Sequence, residues 1–252
     1  MLENTLQTFK QKLHKYGDFN TYDILKNIAF FTMVIDHIGY YLLPSLFILR
    51  FIGRASSVIF FLLHGFSYRK QNNSILYFGI IASIIIFFLG GKEILPFNIL
   101  YGIYFSGFAI NFLYDLYKTK FTTFVPLIIA LAIVSIILNA VFDYAFLSTI
   151  MIFAGYLIKN EERRDSHFYT AITLIIGLFT FSTMLNFGLN IVYSIILICV
   201  MLAIARFMLH FENKTIAIKN WHLNEVCLII SRYALIMYPL HLLIILLLHK
   251  CL

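Results

Sequence analysis

Apolar residues run through this chain in long blocks, each closed by a short cluster of charged or turn-forming residues. Blocks of that length predict helices that cross a membrane. They place spans at about 26–43, 51–68, 75–90, 98–114, 121–139, 144–158, 168–186, 189–209 and 226–248, an all-α polytopic transmembrane bundle of about nine spans. The breaks include Pro44-Ser45, Arg69 to Asn73, Ala140 to Asp143, and a longer polar loop from His210 to Asn224. Ahead of the first span, Lys10, Lys12, His14 and Lys15 alternate with Leu6, Phe9 and Leu13 at helical spacing. Residues 1–23 are therefore expected to form a short cytoplasmic amphipathic segment on the membrane surface, and 24–252 a single integral-membrane domain. Asp23 or Thr21 is expected to cap a first helix that begins near Ile24.

Composition narrows the class further. Of 252 residues, 61% are hydrophobic and 12% charged, against roughly 25% charged in an ordinary soluble domain. That excludes a soluble enzyme, a secreted disulfide scaffold and a disordered chain. Cys199, Cys227 and Cys251 lie far apart and show no metal-ligand spacing, so no metal is expected.

The net charge of +7 is mainly a signal of orientation. With the N-terminus inside, fourteen Lys and Arg fall in inside segments and only Lys92 and Lys250 in outside loops. The positive-inside rule thus predicts N-inside, C-outside topology and an odd number of spans. The partner of this basic face is the lipid bilayer and the cytoplasm, and no nucleic acid is expected.

What remains within or beside the apolar runs is Arg50, Arg54, Arg232, Asp36 and His37. Ionisable groups in hydrocarbon cost several kcal/mol unless paired or hydrated, so they are candidates for function. His37 lies about 16 Å along the helix from Lys26, near the middle of a core roughly 30 Å thick. A mid-membrane imidazole can accept and deliver a proton, or simply bond a neighbouring helix. Asp36 points about 100° away from it, towards another helix or to a water shared with His37. Arg50 and Arg54 share one helix face, where like charges repel unless an anion lies between them. Asp36, a phosphate or a developing oxyanion can fill that role; alternatively both arginines reach into water at the outer interface. Tyr238 and His241 share a face of the last span, where Pro239 is expected to break the helix ladder and open a cavity. Glu225 and Arg232, seven residues apart, can pair along one side.

These residues resemble a known pattern. Lys26, followed after ten positions by His37 in a Met-x-x-Asp-His context, is similar to the first-span motif of the TraX family of conjugative-pilus proteins. The likeness continues through Phe51-Ile52-Gly53-Arg54, Phe60 to Phe66 with Tyr68-Arg69, Phe97 to Tyr101, and Tyr238-Pro239-Leu240-His241-Leu242. It departs at Ala55-Ser56-Ser57-Val58 and at His64, where a glutamate is common. Through the wider group of membrane acyltransferases, the resemblance implies acetylation of the N-terminal amine of an F-type pilin, with acetyl-CoA as donor. It implies a multi-pass protein of the bacterial inner membrane that meets pilin at the outer face. The catalytic residues would be His37 as base, with Asp36 and Arg54; substrate and CoA would be bound by Lys26, Arg50, Arg69, Tyr238 and His241. An acyltransferase for a sugar or lipid-linked glycan, and a non-enzymatic small transporter or pilus-assembly component, are the alternatives.

Overall fold

The computed structural model describes residues 18–90, 97–138, 141–188, 191–217 and 221–251. Of the amphipathic segment expected over 1–23, residues 1–17 lie outside them, and Thr21 to Asp23 already belong to the first helix. Among the described residues there are ten helices: α1 (Thr21–Tyr41), α2 (Phe47–Ser67), α3 (Asn73–Gly90), α4 (Ile99–Thr119), α5 (Phe121–Leu138), α6 (Ala145–Asn160), α7 (Ser166–Phe187), α8 (Ile191–Leu209), α9 (Trp221–Arg232) and α10 (Ala234–Cys251). Seven of them are long and apolar enough to cross a membrane. Of the nine segments expected as spans, α1 falls short because Asp23, Lys26 and Asp36 interrupt it, and α6 because it has only 16 residues.

Local chemistry sets the helix ends. Asn20, rather than Thr21 or Asp23, caps α1: its side chain accepts from the Asp23 N–H at 3.1 Å, and the Asp23 carboxylate accepts from the Asn20 N–H at 3.2 Å. That reciprocal box satisfies two of the unpaired donors at the start of a helix. Asn98 caps α4 and also donates to the Gly79 carbonyl and the Ser83 hydroxyl, at 2.8 and 2.9 Å, so the same buried amide ties α4 to α3. The last expected span divides at Tyr233 into α9 and α10, and Pro239 lies inside α10. Pro239 removes only the bond to the Leu235 carbonyl, and the helix continues through it.

The shortest of the expected spans is the centre of the bundle. In α6, Leu147, Ile150 to Ala154 and Leu157 are buried, and the helix packs against α2, α4, α5 and α7. A helix that is apolar all round needs such an enclosure. Outward-facing apolar side chains such as Phe88, Ile137 and Ile191 are 68%, 72% and 77% exposed. A surface of that kind is suited to hydrocarbon rather than water.

Two glycines set the contact between α2 and α6. A Cβ at Gly65 would lie 1.8 Å from the Ile152 carbonyl oxygen, and one at Gly155 would lie 2.1 Å from that of Leu62. Gly65→Ala must therefore part the helices, and overpacking of this kind costs about 1–3 kcal/mol. Thermal unfolding of the purified protein should show its midpoint lowered by roughly 3–10 °C. Gly177→Ala is the control, since nothing lies within 4 Å of the added methyl. Equal midpoints for the two variants would refute the close crossing.

Several basic residues share one end of the bundle. There Lys118 pairs with Glu161, Arg164 donates to the Leu209 carbonyl, and the loop after α8 bridges to Asn20 before α1. At the opposite end, Phe97 pairs with Phe142 ahead of α4 and α6.

Candidate functional site

A cavity of about 920 Å³ lies among α1, α2, α3, α4 and the α9–α10 break, and its lining includes residues from both ends of α1. Lys26, Asp36, His37, Arg50, Arg54, Arg69 and Tyr238 all line it. His241 stands directly behind His37. The fold thus brings the residues expected to be catalytic or to bind substrate onto this cavity or, for His241, directly behind it, although they cluster in two places rather than one.

The first cluster lies where α1 and α2 cross. Arg50 Nη1 is 2.9 Å from Asp36 Oδ2, and Arg54 Nη2 bonds the same oxygen. Asp36 is the anion between the two arginines, and the alternative in which both reach into water is overturned. Their guanidinium groups turn inward because a buried carboxylate offers them a bond that leaves neither charge alone in hydrocarbon. Arg54 Nη1 also donates to the Tyr144 hydroxyl at 2.5 Å. Gly53 makes the crossing possible, since a Cβ there would lie 2.2 Å from Asp36 Cβ.

His37 points another way. His37 Nδ1 and His241 Nε2 are 2.6 Å apart, and His241 Nδ1 is 3.0 Å from the Met237 carbonyl oxygen. The two rings are nearly coplanar, at 18°, with centroids 4.9 Å apart, so this contact runs through ring edges rather than faces. A carbonyl only accepts, so His241 Nδ1 carries the proton that bonds Met237. Neutral His241 then presents a lone pair at Nε2, and His37 must donate to it from Nδ1. This leaves neutral His37 with its lone pair on Nε2, and that nitrogen has no hydrogen-bond partner among the described residues. An imidazole fixed in one tautomer with one basic nitrogen on a cavity is suited to general-base chemistry.

His37 also lies nearer the end of α1 than its middle. The helix begins at Thr21, five residues before Lys26, which puts His37 about 24 Å from the helix start and about 6 Å from its end.

The second cluster occupies the other end of the cavity. Lys26 Nζ sits 4.8 Å from the centre of the Tyr22 ring, and Arg69, Lys70, Gln71 and Asn72 follow the end of α2. Arg232 bonds Asp23 at 3.3 Å, and Ser231 donates to the same carboxylate at 2.7 Å. Arg232 therefore pairs with Asp23 on α1, a partner that helical spacing does not reveal. Arg232 is the last residue of α9, and the helix assignment is interrupted at Tyr233 directly after it.

A family model described as TraX protein matches residues 21–249. The chain belongs to the TraX family. Across its length the TraX match takes in both histidines, both arginines of the crossing and the basic end of the cavity. The chain is also 31% identical over 144 residues to an uncharacterized protein of Rickettsia prowazekii (strain Madrid E), a match covering 57% of this chain and 58% of that protein. The chain thus spans less than two thirds of that relative. No solved structure matches.

One residue of this TraX cavity was missed in the sequence. Asp143, treated there as part of a break, lines the cavity beside Tyr144. Burial pushes its carboxyl up to about 6, against the pull of Arg54 and Arg50. The signal that would have found it is a carboxylate in a break of only four residues between two apolar runs, too short to carry it far into water.

Proposed function

We propose that this TraX-family membrane protein is an acetyltransferase that moves the acetyl group of acetyl-CoA to the N-terminal amine of an F-type pilin. The observation that carries this reading is His37 Nε2, held as a lone-pair base on a large cavity by the His241–Met237 chain. An amine must shed a proton to become an amide, and His37 Nε2 takes it. The basic end of the cavity, with Lys26 and Arg69, suits the phosphates of CoA, leaving the thioester to extend towards His37. The Asp36–Arg50–Arg54 cluster fixes two guanidinium groups on the cavity wall, where they favour the negative charge that develops on the carbonyl oxygen. With the basic end on the cytoplasmic side of a bacterial inner membrane, CoA enters from within and the pilin from without.

The test is direct. Purified protein in nanodiscs, given labelled acetyl-CoA and an F-type pilin, should place one acetyl group on the pilin's N-terminal amine, located by peptide mass spectrometry. Label on a glycan or lipid-linked acceptor in place of pilin would assign a different acyltransferase. Proton-coupled flux in proteoliposomes without any acetyl transfer would assign a transporter.

A further inference from the structure

We propose that Asp143 is the acceptor-binding residue, and that it recognises the acceptor as a cation, a primary ammonium group. The inference rests on the acetyltransferase reading and names how that site selects its substrate. Two carboxylates line the cavity among the described residues, Asp36 and Asp143. Asp36 is occupied by Arg50 and Arg54. The Asp143 side chain makes no hydrogen bond or ion pair within the described protein, yet its backbone is held firmly. Its N–H donates to the Phe97 carbonyl at 2.9 Å, and the Phe97 N–H donates to Val141 at 2.8 Å. The next residue, Tyr144, adopts a left-handed conformation at φ 63°, which a non-glycine residue holds only when its surroundings fix it. Here the Arg54 hydrogen bond and a stacked contact with Phe179, 5.7 Å between ring centroids, do so.

The surroundings suit an ammonium ion. Tyr41 and Tyr238 are within electrostatic reach of Asp143, and each ring centroid is 6.3 Å from that of His37. Tyr41 and Tyr238 thus stand between the influence of Asp143 and the ring of the base, and aromatic rings of this kind favour a cation in the same cavity. At this end Arg50 and Arg54 face two carboxylates, Asp36 and Asp143, whereas the opposite end, with Lys26, Arg69 and Lys70, has no carboxylate among the described lining residues, so an ammonium ion finds its counter-charge only here.

The reaction balances on these terms. The bound ammonium gives one proton to water at the mouth of the cavity and becomes a neutral amine. Its nitrogen attacks the thioester carbonyl; the C–N bond forms and the C–S bond breaks. The second proton passes through His37 Nε2 to the departing sulfur, leaving an amide, CoA thiol and one released proton.

The experiment measures binding without acetyl-CoA, so it does not depend on turnover. An N-terminal peptide of an F-type pilin, with its amine free or acetylated, is titrated into full-length protein in nanodiscs. The free-amine peptide should bind about 10-fold more tightly than its acetylated twin, and Asp143→Asn should erase that difference while leaving the acetylated peptide unaffected. Equal binding of the two peptides to the parent overturns the proposal and needs no variant. Equal weakening of both peptides by Asp143→Asn also overturns it, because the residue would then only support the wall. A preference for the free amine that depends on Asp143, in a protein that never transfers acetyl, would keep the ammonium site and remove the transferase.

Discussion

Replacing His37 with alanine should lower acetyl transfer to pilin by about 10²–10⁴-fold, the usual contribution of a positioned general base. The variant that isolates chemistry from packing is His37→Asn, whose side-chain amide can still donate to His241 Nε2 but cannot take up a proton near neutrality. It should be nearly as inactive as His37→Ala while unfolding close to the temperature of the parent. His241→Ala should cost less, about 10–100-fold, since it removes the group that orients the base and not the base itself. The double variant should be no worse than His37→Ala alone, because an orienting residue has no effect once its target is gone. Measured as single turnovers in nanodiscs, full additivity would mean that the two histidines act separately. Undiminished transfer by either His37 variant would remove the proposed base.

Asp36→Ala should produce the largest loss of stability. It deletes the carboxylate that bonds both Arg50 and Arg54, which lie one helical turn apart on α2. Removing one partner from a buried ion cluster typically costs about 3–5 kcal/mol, because the charges left behind have no compensation. For a chain of this size that corresponds to a midpoint lowered by roughly 6–20 °C. Much of the loss should return when Arg50→Gln is added, since the second change removes half of the uncompensated charge. An Asp36→Ala protein as stable as its parent, or a double variant less stable than the sum of its parts, would refute the pairing.

The spans and the site residues were legible for one physical reason. Apolar blocks reveal membrane helices, and ionisable residues inside them stand out because burying them is costly. Asp36, His37, Arg50 and Arg54 could be found that way, and Gly53 marked their close approach. What the chain concealed were relations across long separations. Arg232 had Glu225 as a local candidate and pairs with Asp23, more than two hundred positions away. Helical spacing sees neighbours three, four or seven residues distant and nothing further. The division at Tyr233 was hidden for the opposite reason: Ser231-Arg232-Tyr233 carries no strong breaking residue, whereas Pro239, which does, sits where its loss of one hydrogen bond is tolerated. Asp143 lay in a segment too short to show any periodicity.

The bond between His37 and His241 joins α1 to α10, the first and last helices described. Ribosomes deliver those helices at opposite ends of the synthesis of this segment. The imidazole of α1 therefore enters the bilayer without its tautomer fixed, and the base is set only when α10 docks beside α1 and α3. On the proposed acetyltransferase reading, a chain without α10 would lack the group that orients its base. Two separately expressed pieces divided in the loop between α8 and α9 should show the proposed transfer at full rate only where they reassemble, so that activity would report on completed assembly.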